Sequence, residues 1–172
     1  ISTYGWMSDY IRSLGFKGLL TQYDNMMLLG ADVARATLPW IDMHSYHDAE
    51  GAAFLPGAKL KQTCALSDMG SYLRGLAASR QQDKPFSVTE YGQPFWNRYR
   101  FEAGPMAAAM AGLQDWDFIC LHAHGAIDLS FKQDVPFKRA IQPYAIGIDP
   151  TARASETLAD NFCVFVNKNC HK

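Results

Sequence analysis

The chain has 172 residues, 48% of them hydrophobic, with a formal net charge of -1. That is enough for one folded domain with a core, and the composition excludes a disordered chain. The near-zero charge gives no basis for a nucleic-acid partner or an acidic membrane surface, and no apolar run is long enough to span a bilayer.

Helix and strand patterns alternate along the chain. Tyr4 to Leu14 reads as an amphipathic helix, with Ile11 and Leu14 spaced to face a core, and Gly15 stops it. Phe16 to Tyr23 reads as a short buried strand that ends in polar Gln22, Asp24 and Asn25. Met26 to Thr37 reads as a helix with Asp32 and Arg35 outward. Trp40 to Tyr46 is the next strand and runs into His44-Ser45-Tyr46-His47-Asp48. A loop follows from Ala49 to about Thr63, marked by Gly51, Pro56 and Gly57. Ser67 and Asp68 are placed to cap a helix that runs to about Arg80. Lys84-Pro85 leads into the strand Phe86 to Glu90, closed by Tyr91-Gly92. Glu102 to Leu113 is a helix rich in Ala and Met, and Asp115 to His122 is a fourth strand ending in His122-Ala123-His124-Gly125. A long loop from Ala126 to Ile148 precedes a last helix, Thr151 to about Phe165, opened by Asp149-Pro150.

Of the four cysteines, Cys120 sits in an apolar run and reads as a buried free thiol, while Cys163 and Cys170 flank a short tail in which they can pair. The chain opens Ile1-Ser2-Thr3 without Met, which reads as a processed or truncated start without a signal peptide.

Alternating strands and helices imply βαβ units and a parallel sheet. Every strand ends in polar or ionisable residues: Gln22, His44 and Tyr46, Glu90, and His122. In a closed barrel or an open doubly wound sheet alike, such ends share one face, where ligands bind. The segment Ser87-Val88-Thr89-Glu90-Tyr91-Gly92 carries the strongest signal, since a carboxylate that ends an apolar strand beside Gly is unusual for plain surface charge.

Thr89-Glu90-Tyr91-Gly92 and His44-Ser45-Tyr46, in that spatial order of strands, resemble the strand-seven and strand-six motifs of retaining glycoside hydrolases of the large TIM-barrel clan that includes cellulases, mannanases and β-galactosidases. The resemblance covers about Tyr4 to Phe165. It implies a (β/α)8 barrel of which only strands five to eight are present, so that residues 1–172 form the C-terminal half of a catalytic barrel. It implies that Glu90 is the nucleophile, that Tyr46 hydrogen-bonds it and that His44 positions the site. Gln22, Asn25, Tyr91, Trp96 and His122 then fall to substrate binding. Four Trp and eight Tyr suit stacking on the flat faces of sugars. The expected partner is a carbohydrate, and neither an organic cofactor nor a metal is needed. A secreted or periplasmic location is implied.

The chain also departs from the clan. The acid/base of the clan lies in an Asn-Glu pair on strand four, and no Asn-Glu pair occurs here. It is expected on a missing N-terminal half, or the half-barrel is closed by a second copy of the chain; Glu102 and Glu50 read as helix or loop residues instead. The Trp that many members carry on strand eight is also lacking, since Trp116 stands at the wrong end of its strand. Two other functions remain open at this point. One is a half-barrel that binds sugar or pairs with itself without catalysis. The other is a metal-dependent hydrolase that uses His44, His47, Asp48, His122 and His124.

Overall fold

The computed structural model describes residues 2–25, 27–48, 59–123, 144–147 and 149–170. Glu50, His124 and most of the 126–148 segment lie outside them. Three strands, β1 (Ile41–Tyr46), β2 (Phe86–Gly92) and β3 (Phe118–Leu121), pair in parallel in the order β1-β2-β3. Parallel neighbours need long crossovers. The helices α1 (Ser2–Ser13), α2 (Leu29–Arg35), α3 (Ser71–Ala77), α4 (Ala103–Gln114) and α5 (Pro150–Cys170) are arranged around that sheet in sequence.

Alternation in β1 divides its residues between two faces. Ile41 and Met43 are fully buried on one, together with Phe86 and Val88 of β2 and Leu73 and Leu76 of α3. Trp116 joins this core, its ring 5.3 Å from that of Phe86, so it stands at the amino end of its strand. Alanines give α4 a thin profile: Ala107 and Ala111 meet the core, and a Cβ on Gly104 would lie 2.7 Å from the Ser155 carbonyl oxygen of α5. The two helices therefore touch backbone to backbone at that point.

The barrel expectation is overturned: the described residues form an open sheet of three strands, not four strands of a closing barrel. The missing member is the segment Phe16 to Tyr23, which forms no ladder. Phe16 and Leu19 are exposed, so a strand there would bury little. The segment instead touches β1 through single bonds, Thr21 Oγ1 to the Trp40 carbonyl (2.9 Å) and the His44 N–H to the Asp24 carbonyl (2.7 Å).

Arg35 is not outward. It is fully buried, and its guanidinium donates to the Tyr23 carbonyl and to Asp32 Oδ1 (2.7 Å). A buried guanidinium must satisfy its donors, and here it does so by pinning the chain that runs past β1. Cys120 is an exposed free thiol rather than a buried one: it shares the outer face of β3 with Phe118, which is covered only in part, by Trp40. Cys163 and Cys170 both lie in α5. Their side chains, and with them the pairing expected above, lie outside what the structure describes. Three elements are shorter than expected (α2, α3 and β3), whereas α5 extends to Cys170. No helix among the described residues is long and apolar enough to cross a membrane.

A buried acid ties α5 to the sheet. The Tyr91 hydroxyl donates to Glu156 Oε2 at 2.6 Å. Burial, reinforced by nearby Asp160 and partly offset by the tyrosine bond, pushes the Glu156 carboxyl up to about 7. Its folded value lies above its unfolded one, so the folded state binds the extra proton. This contribution favours folding at low pH and is lost progressively as pH rises from the unfolded value of 4.5 through about 7. Glu156→Gln keeps an acceptor for Tyr91 but cannot ionise. It is expected to be more stable than the parent at pH 8 by on the order of 1–3 kcal/mol, discounting for residual solvation, and equal near pH 4.5. Thermal midpoints across that pH range check this.

Candidate active site

The polar face of the sheet is set by a register shift. His44 stands opposite Glu90, Ser45 opposite Tyr91 and Tyr46 opposite Gly92, but the pairing slips by one between Met43 and His44. The slip leaves Thr89 as an extra residue in β2. A bulge breaks the period-two alternation, so two successive side chains can serve the same face. Phe86, Val88 and Tyr91 point to the helices, while Ser87, Thr89 and Glu90 join Asp42, His44 and Tyr46 on the other side.

Asp42 lies at the base of this face and is 4% exposed. Its Oδ1 accepts from Ser87 Oγ (2.5 Å) and from the Thr89 N–H (3.1 Å), and its Oδ2 accepts from Thr89 Oγ1. Trp40 Nε1 donates in turn to Ser87 Oγ (2.9 Å). Because Thr89 gives its one hydroxyl proton to Asp42, its lone pairs accept from His44 Nε2, 2.7 Å away. That bond assigns the ring proton to Nε2 and turns Nδ1 toward Glu90 Oε2 at 3.5 Å.

Glu90 is one-third exposed, open enough to meet a ligand at the rim. Its Oε2 accepts from the Tyr46 hydroxyl, and its Oε1 has no hydrogen-bond partner among the described residues. Burial holds the Tyr46 hydroxyl far above its ordinary range, and the adjoining Glu90 carboxylate adds to the effect. Tyr46 therefore remains a donor at any physiological pH. Its ring packs on Tyr144 with centroids 4.4 Å apart and meets His122 edge-on at 6.0 Å. Gly92 lies against both rings: a Cβ there would make ordinary van der Waals contact, 3.4 Å from Tyr144 and 3.7 Å from Tyr46.

Glu90, Tyr46, His44 and His122 thus come together at one rim. Asp24 reaches the site, its carbonyl accepting from the His44 N–H and its carboxylate 3.9 Å from His44 Nε2, whereas Gln22 and Asn25 are near it in the chain without a contact to the Glu90 group among the described residues. Tyr91 does not reach it. As the residue after Glu90 it faces the opposite side, is 2% exposed and bonds Glu156, so the substrate-binding role expected for it is corrected to a structural one. Trp96 is 72% exposed in a left-handed turn; its ring meets Phe95 edge-on with centroids 4.3 Å apart, and its carbonyl accepts from Gln62 Nε2 at 2.8 Å. Glu102 is buried and accepts from Cys64 Sγ and from the Ala65 and Leu66 N–H groups, which commits it to holding the loop rather than to chemistry.

Of the residues of the metal-dependent reading, His47 and Asp48 are separately engaged, His122 has a buried Nδ1 with no hydrogen-bond partner among the described residues, and His124 lies outside them. His47 Nε2 donates to the Thr63 carbonyl (3.0 Å), and Asp48 accepts from the Gln62 N–H and Asn97 Nδ2. A different group, Asp24, Asp42 and His44, converges within 4.8 Å. Hydrogen bonds to Ser87 and Thr89 already account for Asp42 and for His44 Nε2 in that group. Sequence reasoning missed Asp42, Thr89 and Tyr144. The first two had a signal: Asp42 falls in phase with Trp40, His44 and Tyr46 in an otherwise apolar strand. Tyr144 stood in a stretch read as loop.

No family model matches the chain, and neither curated proteins nor solved structures provide a match.

Asp42→Asn places an NH2 group where an acceptor for Thr89 or Ser87 is needed. It is expected to cost about 1–3 kcal/mol for the stranded donor. Denaturant midpoints should show a loss larger than that of Ser87→Ala, which leaves the Thr89 bonds in place. Equal losses would mean that Asp42 does not organise the face.

Proposed function

We propose that the protein is a retaining β-glycoside hydrolase that acts on an oligo- or polysaccharide, with Glu90 as its nucleophile. The observation that carries this reading is the Tyr46 hydroxyl held on Oε2 of a half-open strand-end carboxylate, with His44 alongside. A glycosidase nucleophile must be ionised, and the Tyr46 hydroxyl donating to Oε2 favours that form. Glu90 Oε1 remains for attack. It forms a bond to the anomeric carbon as the glycosidic C–O bond breaks, and the electron pair of that bond leaves with the departing oxygen. Water then adds at the same carbon and releases Glu90.

Tyr46 fixes the nucleophile, and His44 positions both it and the sugar. His122 meets the Tyr46 ring and Trp96 offers an exposed ring; these two, with Gln22 and Asn25 near Asp24 in the chain, are assigned to substrate contacts. Proton delivery to the leaving oxygen is assigned to a carboxylic acid outside the described residues. A retaining pair needs its two carboxyl groups about 5–5.5 Å apart. A secreted or periplasmic setting suits a polymeric substrate.

A mechanism-based 2-fluoro glycoside with a good leaving group needs little acid assistance, so it tests Glu90 directly. The expected result is a covalent adduct by intact mass, mapped by peptide sequencing to Glu90. Glu90→Gln should form none and should not turn over aryl glycosides. Tyr46→Phe removes one hydrogen bond to a charged group, worth about 1.5–3 kcal/mol, and should lower kcat about ten- to a hundredfold. Turnover by Glu90→Gln at the parent rate would defeat the assignment.

A further inference from the structure

Tyr46 belongs to two places at once. Its hydroxyl rests on Glu90, and its ring lines a cavity of about 640 Å³ that extends to Asp68 and Tyr99. The volume falls within the roughly 300–1,000 Å³ ordinary for small-molecule clefts. Nothing in the carboxylate chemistry above uses this space.

The walls are organised for a particular ligand. Asp48 is clamped by the Gln62 N–H (3.0 Å) and by Asn97 Nδ2 (2.9 Å), and Asn97 is itself fully buried. Asn97 Oδ1 also accepts from the Tyr99 N–H at 2.7 Å, which fixes the backbone that presents the Tyr99 ring. Asp68 is held by Ser71 N–H (3.1 Å) and Ser71 Oγ (2.7 Å). Each clamped carboxylate keeps spare lone pairs for hydroxyl donors. Two carboxylates face a single ammonium, that of Lys61, and His47 gives its Nε2 to the Thr63 carbonyl. The balance disfavours an anion. Rigid acceptors between tyrosine rings suit a ring with several hydroxyls and apolar faces.

We infer that this cavity receives an uncharged glycosyl unit of the chain whose neighbouring bond lies at Glu90. The substrate is then a neutral oligo- or polysaccharide at least two units long, and not a uronic-acid polymer. The inference rests on the glycosidase reading for its second half, the placement of the scissile bond, while the sugar-binding half stands on the cavity alone.

Isothermal titration calorimetry of the full chain tests it with the β-1,4-linked tetrasaccharides of glucose, mannose and xylose, and with tetragalacturonate. At least one neutral tetrasaccharide is expected to bind, and tetragalacturonate is not. Tyr99→Ala should weaken that binding about tenfold, the equivalent of one aromatic stacking contact. Asp68→Asn, which keeps an acceptor for Ser71, should also weaken it, and unchanged thermal midpoints would show both variants folded. Failure of every neutral tetrasaccharide to bind would overturn the inference. So would equal or tighter binding of tetragalacturonate, or parent affinity in both variants. If binding depends on Tyr99 while Glu90→Gln hydrolyses aryl glycosides normally, the nucleophile assignment falls and the sugar site stands.

Discussion

One buried carboxylate organises the polar face of the sheet. Asp42 sits near the start of a strand whose other side buries Ile41 and Met43, and a buried carboxylate is stable only if its oxygens find donors. Ser87 and Thr89 supply those donors from the neighbouring strand. To do so, β2 must slip by one residue, because both the Thr89 N–H and its hydroxyl have to point at Asp42. The bulge follows from the acid, and the placement of Glu90 follows from the bulge. Without the slip, Glu90 would stand on the face where Tyr91 now packs. The chain thus uses a costly buried charge to set a register that hydrophobic alternation alone would leave different.

The same constraint propagates outward. Thr89, having given its proton to Asp42, accepts from His44, and that orients the imidazole edge toward Glu90. Arg35 plays a parallel part from outside the sheet: by holding the Tyr23 carbonyl it delivers the Asp24 carbonyl to the His44 N–H. On the helix side, Tyr91 reaches Glu156, so the two neighbours Glu90 and Tyr91 tie β2 to opposite layers. Alternation therefore separates chemistry from packing between adjacent residues, and the bulge decides which residue receives which.

Much of this was legible in the residue order. Strands β1 and β2 were marked by apolar alternation and by the breaks at Pro85 and Gly92, and parallel pairing then put His44, Tyr46 and Glu90 on a common rim. The triad could be read because strand ends converge whatever the wider architecture. Closure of the sheet could not be read. Four strand-like segments do not make four strands: Phe16 to Tyr23 has the apolar content of one, but its large side chains find no layer to cover them. Arg35 shows the same limit, since helical periodicity marks it as outward and only the bend of the chain at Tyr23 brings carbonyls to its guanidinium. Cys120 looked buried because its run is apolar, yet it falls on the face of β3 that is left exposed. Tyr91 was assigned to ligand by its place in a motif, and the bulge at Thr89 turns it to the core instead.

The division of labour on Tyr46 gives the site its direction. A phenol whose ionisation is suppressed by burial and by the carboxylate beside it can only donate, and its one proton is spent on Glu90 Oε2. The oxygen that remains open is Oε1, so a reacting carbon can be met from one side of the carboxylate only. The Tyr46 ring meanwhile is wedged against Tyr144 and His122 and cannot swing to offer its hydroxyl elsewhere without leaving that contact.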